Sequence, residues 1–175
     1  ISATPLRTAY LLGEAVDDVP DHVGGRGSGV LLIAFTAFTF IAFMHNKSDL
    51  AAFCSAVSGA LLAFLWFNIY PARFFMGDTG AIALGTTLGV VALLTNSVIA
   101  LFVIVAIYGL ESMSAALQLI SKRFFGKKIL LAAPLHHHFE AKGWPEPKVV
   151  MRAWIFTAVT ALLGVLVAIL GMGPR

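Results

Sequence analysis

The side chains best suited to chemistry in this chain are concentrated in one polar loop, residues 134–148, between strongly apolar segments. The loop places His136, His137 and His138 in succession and adds two glutamates and two lysines. Imidazole donates a proton, accepts one or binds a metal near neutral pH. Three successive loop residues point in three directions, so at most two of them act directly on one ligand. The pattern favours the handling of a charged ligand, and a solvated basic loop with incidental histidines is the alternative.

A second polar loop, residues 66–80, contains an aspartate just before a glycine-containing helix start. Asp78 has two open interpretations: a helix cap that accepts backbone N–H bonds, or an oxygen ligand for Mg²⁺, which binds through one or two carboxylates plus substrate phosphates. Asn68 is either a turn residue or a hydrogen-bonding group for a polar ligand. Phe75 is either an interfacial anchor or a stacking surface for a planar base.

Glu111 is an acid inside an apolar segment, where a charged group is costly in lipid and usually faces the bundle interior. A bent or partly solvated helix is a sufficient explanation for it. Gln118 follows two turns later and is expected near the mouth of the bundle. Trp66, Trp144 and Trp154 are expected to be interface anchors first and ligand contacts second.

The composition of the chain predicts a membrane protein. Hydrophobic residues make up 59% of the 175 and charged residues only 12%, against about 25% charged in a soluble domain. Continuously apolar runs without two-residue alternation indicate helices rather than strands. Turn signals at residues 46–49, 68–80 and 95–97 separate these runs. We therefore predict an all-α fold, a polytopic membrane bundle of about five transmembrane helices at residues 29–45, 49–67, 80–96, 97–121 and 149–171.

The distribution of basic residues predicts the orientation of this bundle. Eight basic residues lie in the two polar loops and their flanks: Arg73, Lys122, Arg123, Lys127, Lys128, Lys142, Lys148 and Arg152. On the opposite side lie two, Lys47 and Arg175. By the positive-inside rule both polar loops are cytoplasmic. The same rule accounts for the net charge of +3. The basic residues therefore do not indicate nucleic acid as a partner, and none is expected.

Two motifs resemble a known enzyme family. They are N-x-x-P-A-x-x-F-M-G-D-x-G at residues 68–80 and P-L-H-H-H-F-E-x-K-G-W-P-E-P-K-V-V-x-R at residues 134–152. Together with the region around Gln118 they are similar to the phospho-N-acetylmuramoyl-pentapeptide transferases, a branch of the polyprenyl-phosphate N-acetylhexosamine-1-phosphate transferases. The resemblance covers about residues 29–171, the C-terminal half of a ten-helix protein.

The resemblance implies a reaction at the cytoplasmic face of the bacterial inner membrane. Undecaprenyl phosphate would attack UDP-N-acetylmuramoyl-pentapeptide, release UMP and form the first lipid-linked precursor of peptidoglycan, with Mg²⁺ required. Asp78 would be the magnesium ligand and a catalytic residue, and Asn68, Phe75 and Gln118 would line the nucleotide-sugar site. His136, His137 and His138 would organise the site and contact the diphosphate. Membrane lipid and a second copy of the chain are further expected partners.

Residues 1–28 depart from the family pattern, so the domain organisation is predicted as an atypical segment 1–28 and a transmembrane transferase domain 29–175. Asp17 and Asp18 form an acidic pair, but the lysine that shortly follows such a pair in the family is absent, so no role is assigned to them. The uracil-contacting loop of the family is also not recognisable here. A small transporter that uses Glu111 and the histidines, and a noncatalytic membrane scaffold, are the alternative functions.

From these departures we predict that the chain does not catalyse the transfer alone. The Asp-Asp loop and the uracil loop supply groups that the chemistry needs. The measurement is UMP release from UDP-N-acetylmuramoyl-pentapeptide by the purified chain, with and without a co-expressed N-terminal half from a family member. Rescue by that half supports the assignment, and unaided turnover would contradict it.

Overall fold

The computed structural model describes residues 23–69, 76–124, 139 and 142–171. This part of the chain contains only helices among its regular elements, which confirms the all-α prediction. The helices are α1 (Val23–Met44), α2 (Ser48–Asn68), α3 (Asp78–Leu94), α4 (Val98–Ile104), α5 (Ala106–Phe124) and α6 (Glu146–Leu170).

Three of these helices are long and apolar enough to cross a bilayer: α1 from Gly27, α2, and α6 from Pro147. The pair α4 and α5 makes a fourth candidate span, but it is bent by 70°. The apolar helix α3 has 17 residues, about 26 Å at 1.5 Å per residue. The chain is thus a multi-pass helical bundle with three or four full-length spans among the described residues, plus the shorter α3.

Two turns at one end of the bundle share a conformation. Asn46 follows α1 and Asn96 follows α3, both with positive φ, at 56° and 53°. The N–H groups of Lys47 and Ser97 then donate to carbonyl oxygens five residues back, each at 2.9 Å. This is the left-handed helix ending that asparagine tolerates better than most residues. The asparagine-containing turns predicted at residues 46–49 and 95–97 are confirmed.

Helix α1 lies at the centre of the bundle and packs against α2, α3 and α6. Its core-facing side chains recur at three- and four-residue steps and are almost wholly buried, namely Ala34, Phe35, Phe38, Ile41 and Ala42. Cys54 and Leu61 of α2 belong to the same core. Spacing of this kind is what one face of a helix needs to pack against neighbours.

The outer faces of the helices expose large apolar side chains. Trp66 is 80% exposed, Leu162 72% and Ile155 65%. Exposed apolar surface on this scale indicates that a partner or a membrane, and not water, covers these faces. A groove of about 720 Å³ also opens between α1 and α6, with Leu62 of α2 on its rim and almost entirely apolar walls. These faces fit a hydrocarbon environment.

The break between α4 and α5 is the main departure from the segment boundaries expected from sequence. Residues 97–121 were predicted as one apolar segment, whereas the helix ends at Ile104 and restarts at Ala106. A break frees backbone groups that lipid cannot satisfy. Here the Thr160 hydroxyl of α6 donates to the Ile104 carbonyl oxygen at 3.2 Å. The bend lies six residues before Glu111, which itself stands within the uninterrupted helix α5.

The packing of α4 against α6 depends on a close approach at Gly164. A Cβ atom added there would lie 2.4 Å from Ile104 Cγ1 and 3.0 Å from the Ala100 carbonyl oxygen. Small residues of this kind let transmembrane helices approach each other closely. The same contact brings Thr160 to the broken end of α4.

We predict that Gly164→Ala destabilises the protein, because its methyl group collides with Ile104 and with backbone. Overpacking of this type costs about 1–3 kcal/mol. The measurement is the midpoint of thermal unfolding in detergent. Gly59→Ala is the matched control, since nothing lies within 4 Å of its added Cβ in α2. Equal midpoints for the two variants would show that α4 does not pack against α6 in this way.

Candidate functional site

Three helices meet at the end of the bundle where α1 begins. The side chain of Asn68, the last residue of α2, lies against Ser28 near the start of α1, and its Nδ2 donates to Ser28 Oγ at 3.5 Å. From the other side, Trp154 of α6 packs on Gly29. We call this region, defined by the start of α1, the end of α2 and the N-terminal part of α6, the polar end.

Asn68 is buried at the polar end, with 1% of its surface exposed. Its Oδ1 atom is also buried and accepts no hydrogen bond from any residue that the structure describes. A buried acceptor left without a donor costs about 1–3 kcal/mol, and such atoms call for a bound water, ion or ligand as explanation. Asn68 therefore holds α2 to α1 with one atom and offers the other to a donor.

The indole of Trp154 packs on α1 at Gly29. A Cβ atom added to Gly29 would fall 2.2 Å from Trp154 Nε1 and 2.4 Å from Cε2, so the indole occupies the space that a side chain would need. The Nε1 atom is buried and donates to no described residue. Two buried polar atoms without a partner among the described residues, Trp154 Nε1 and Asn68 Oδ1, thus belong to side chains that pack on adjacent residues of α1.

Asp78 is the first residue of α3, and the residue in the N-cap position is Gly77, which makes no side-chain capping bond. The aspartate is exposed, and its carboxylate has no described hydrogen bond or ion pair. The capping interpretation of its side chain is therefore wrong in the described structure. A negative charge in the first turn is still favourable, because it faces the positive end of the helix dipole.

The direction of α3 places Asp78 at the polar end. The Lys47 ammonium group, in the turn between α1 and α2, donates to the carbonyl oxygen of Leu94 at the last turn of α3. Helix α3 therefore finishes beside the turn opposite the polar end and starts near the polar end. The two predicted site residues of the second polar loop, Asn68 and Asp78, lie at the same end of the bundle.

Of the predicted site residues that the structure describes, Asp78 is the one with a carboxylate for a metal ion. Within the described part of the chain, no group of three or more His, Cys, Asp or Glu side chains is arranged to hold a metal ion. Mg²⁺ commonly uses one or two protein carboxylates and completes its shell with water and substrate phosphate. A single exposed carboxylate at a helix N-terminus, which itself favours phosphate, fits that type of site.

Helix α5 leaves the bundle axis at the break and carries Glu111 and Gln118, both half-buried. Its first turn is tied to the polar end, because the Tyr108 hydroxyl donates to the Gly27 carbonyl oxygen at 3.0 Å. Gln118 lies ten residues further along, about 15 Å at helical rise. The start of α5 is thus anchored at the polar end. Gln118 lies on a later turn of the same helix, further from that end.

Phe75 and His136, His137 and His138 lie outside the described residues. Phe139, which follows the histidines in the chain, stacks on Trp144 with ring centroids 4.9 Å apart. Its carbonyl oxygen also accepts the Trp144 N–H at 3.2 Å. Trp144 stands two residues before the first residue of α6, so Phe139, which directly follows the three histidines in the chain, is held beside the start of α6.

Sequence reasoning missed Ser28, Tyr108 and Trp154 as parts of the polar end. The signal that would have found the first of them is the run of small residues Gly27-Ser28-Gly29, which permits close approach of other helices. Tyr108 and Trp154 carry no such signal, because an aromatic residue near a helix end is read equally well as an interface anchor.

Comparison with known families supplies the last observation. Residues 20–97 match the family described as glycosyl transferase family 4. The matched stretch contains α1, α2 and α3 in full, and with them Ser28, Asn68 and Asp78. This family contains the polyprenyl-phosphate hexosamine-1-phosphate transferases, which are membrane-embedded glycosyl-1-phosphate transferases. The matched stretch, residues 20–97, includes the start of α1 and the end of α2, which form two sides of the polar end.

Proposed function

We propose that this chain provides the Mg²⁺-dependent site that transfers phospho-N-acetylmuramoyl-pentapeptide from its UDP conjugate to undecaprenyl phosphate. UMP is released, and the lipid-linked product feeds peptidoglycan synthesis. The polar end faces the cytoplasm in a bacterial inner membrane. The observation that carries this proposal is the exposed Asp78 carboxylate, without a described partner, at the N-terminus of α3 and at the same end as Asn68.

The family match favours a transferase over a transporter or a scaffold, because it covers α1 and α2, two of the three helices that build the polar end, and α3, which begins with Asp78. The choice of nucleotide sugar rests on the resemblance of the histidine-containing motif at residues 134–152 to the phospho-N-acetylmuramoyl-pentapeptide transferases. Phe139 and Trp144, both within that motif, lie at the start of α6. That position supports a composite site made from both polar loops.

Asp78 is the residue that would hold Mg²⁺. The bound ion would neutralise the charge that develops on the diphosphate as UMP departs. The N-terminus of α3 adds to this with its free N–H groups and positive dipole end, which favour phosphate oxygens. The carboxylate and the helix terminus thus act on the same part of the substrate.

The remaining residues bind and orient the nucleotide sugar. Asn68 Oδ1, buried and without a described donor, accepts a hydrogen bond from a polar group of the ligand or from an ordered water that contacts it. Phe75 stacks on the uracil and Gln118 lines the sugar side of the site. His136, His137 and His138 organise the site, and two of them donate hydrogen bonds to diphosphate oxygens, which fixes the diphosphate in line with the attacking group.

The acceptor requires little acid–base chemistry. A lipid phosphate is already anionic at neutral pH, so no residue has to remove a proton before it attacks. Positioning and electrostatic screening then account for most of the lowering of the barrier. The exposed apolar faces of the bundle allow the polyprenyl chain to remain in the bilayer while its phosphate reaches the polar end.

We predict that Asp78→Asn lowers the Mg²⁺-dependent rate of UMP release by at least about a hundred-fold, because the amide keeps the shape but loses the charge that binds the ion. The assay uses this chain reconstituted with an N-terminal half from a family member. Asp49→Asn is the matched control, since Asp49 is an exposed acid in the first turn of α2, at the opposite end of the bundle.

The stability of both variants is followed by thermal unfolding, and a small, similar loss is expected, because each removes one negative charge from the first turn of a helix and neither side chain makes a described contact. Asp78→Asn with the wild-type rate at limiting Mg²⁺ would remove Asp78 from the site. An equal loss of rate in Asp49→Asn would show that the effect comes from net charge rather than from a ligand position.

A further inference from the structure

Trp144 carries two cationic side chains close to its ring. The guanidinium carbon of Arg152 lies 4.0 Å from the ring centroid, and the ammonium nitrogen of Lys148 lies 5.0 Å from it. Both are within the distance at which a cation is attracted to an indole face. Phe139 stacks on the same ring, so the indole is held in place while it positions the two cations.

The positive charges are concentrated without a described counter-charge. Lys148 and Arg152 are four residues apart on α6, a spacing at which like charges on a helix repel. They also lie in its first two turns, where the helix dipole is positive and cations are disfavoured. Neither side chain forms an ion pair within the described part of the chain. An anion bound between them would relieve all of these unfavourable terms.

The surface beyond the cations is apolar and continuous. Positions 148, 152, 155, 159 and 162 follow one stripe along α6 at steps of three and four residues. Ile155, Val159 and Leu162 in this stripe are 65%, 53% and 72% exposed. Leu162 also forms part of the wall of the 720 Å³ apolar groove between α1 and α6. A charged head followed by an exposed apolar track is complementary to an amphiphile, and not to a free anion.

We propose that Trp144, Lys148, Arg152 and the apolar stripe of α6 form a binding site for an anionic phospholipid of the bilayer. The headgroup phosphate sits on Lys148 and Arg152, and an acyl chain runs along Ile155 towards the groove. Trp144 takes the interfacial level that tryptophan prefers. The cationic part of the site lies within the motif at residues 134–152 that carries the family resemblance, but the site uses none of the residues to which a role in the transfer reaction is assigned above.

The proposal is tested by titrating the purified full chain in neutral detergent with phosphatidylglycerol or phosphatidylcholine and counting bound lipids by native mass spectrometry. Each basic residue near an anionic headgroup contributes about 1 kcal/mol, and 1.4 kcal/mol is tenfold in affinity. Lys148→Ala/Arg152→Ala should therefore weaken phosphatidylglycerol binding by on the order of 30-fold and leave phosphatidylcholine binding unchanged.

Two further variants separate the site from general charge effects. Arg123→Ala/Lys142→Ala removes two exposed basic residues that are not on the Trp144 ring, and should change phosphatidylglycerol binding less than about two-fold. Lys148→Arg/Arg152→Lys keeps both charges and should retain binding, which shows that the alanine variant loses affinity through charge rather than through misfolding.

Three results would overturn the proposal. If both double-alanine variants weakened phosphatidylglycerol binding equally, the loss of affinity would come from the lower net charge of the protein and not from a site at Trp144. Displacement of phosphatidylglycerol by millimolar inorganic phosphate would indicate a free-phosphate site. Binding that depends on Lys148 and Arg152 for undecaprenyl phosphate but not for phosphatidylglycerol would assign the cations to the polyprenyl carrier rather than to a bilayer lipid.

Discussion

The close approach of α2 and α6 to the first turns of α1 is the contact on which the rest of the structure depends. Ser28 accepts a hydrogen bond from Asn68 of α2, and the adjacent Gly29 leaves space for the indole of Trp154 of α6. Adjacent residues on a helix point about 100° apart, so one turn of α1 fixes two neighbours on different sides. Without this contact the end of α2, the start of α3 and the start of α6 would not share one end of the bundle.

A second constraint comes from the bilayer, in which backbone polar groups must find partners inside the protein. At the break after Ile104, the Ile104 carbonyl oxygen finds such a partner in the Thr160 hydroxyl. The Tyr108 hydroxyl donates to the Gly27 carbonyl oxygen and thereby holds the start of α5 against α1. The bend lets a helix with Glu111 and Gln118 leave the axis of the apolar α4. Polar residues that a straight span would hold at membrane depth are thereby carried on a separate helix that starts at the polar end.

Much of the fold followed from sequence because its determinants are local. Continuous apolar runs predicted helices, and the asparagine-containing turns at residues 46–49 and 95–97 predicted where the chain reverses. The break at Val105 was not located, because the partner that satisfies it, Thr160, is more than 50 residues away. Asn68 and Asp78 were recognised as site residues because they belong to one contiguous sequence motif. Ser28 and Trp154 were missed because only the packing of the helices brings them to the polar end. The capping role considered for Asp78 failed because α3 begins one residue earlier than that role required.

The central claim is that the polar end binds the nucleotide sugar. The most direct measurement is photo-crosslinking of the reconstituted chain with a uridine diphosphate sugar that carries an azido group on uracil, followed by peptide mapping. The account predicts Mg²⁺-dependent label in peptides that contain Asn68 to Asp78 or the stretch 134–148, and competition by unlabelled substrate. Specific label confined to the opposite end, around Lys47 or residues 95–97, would contradict it.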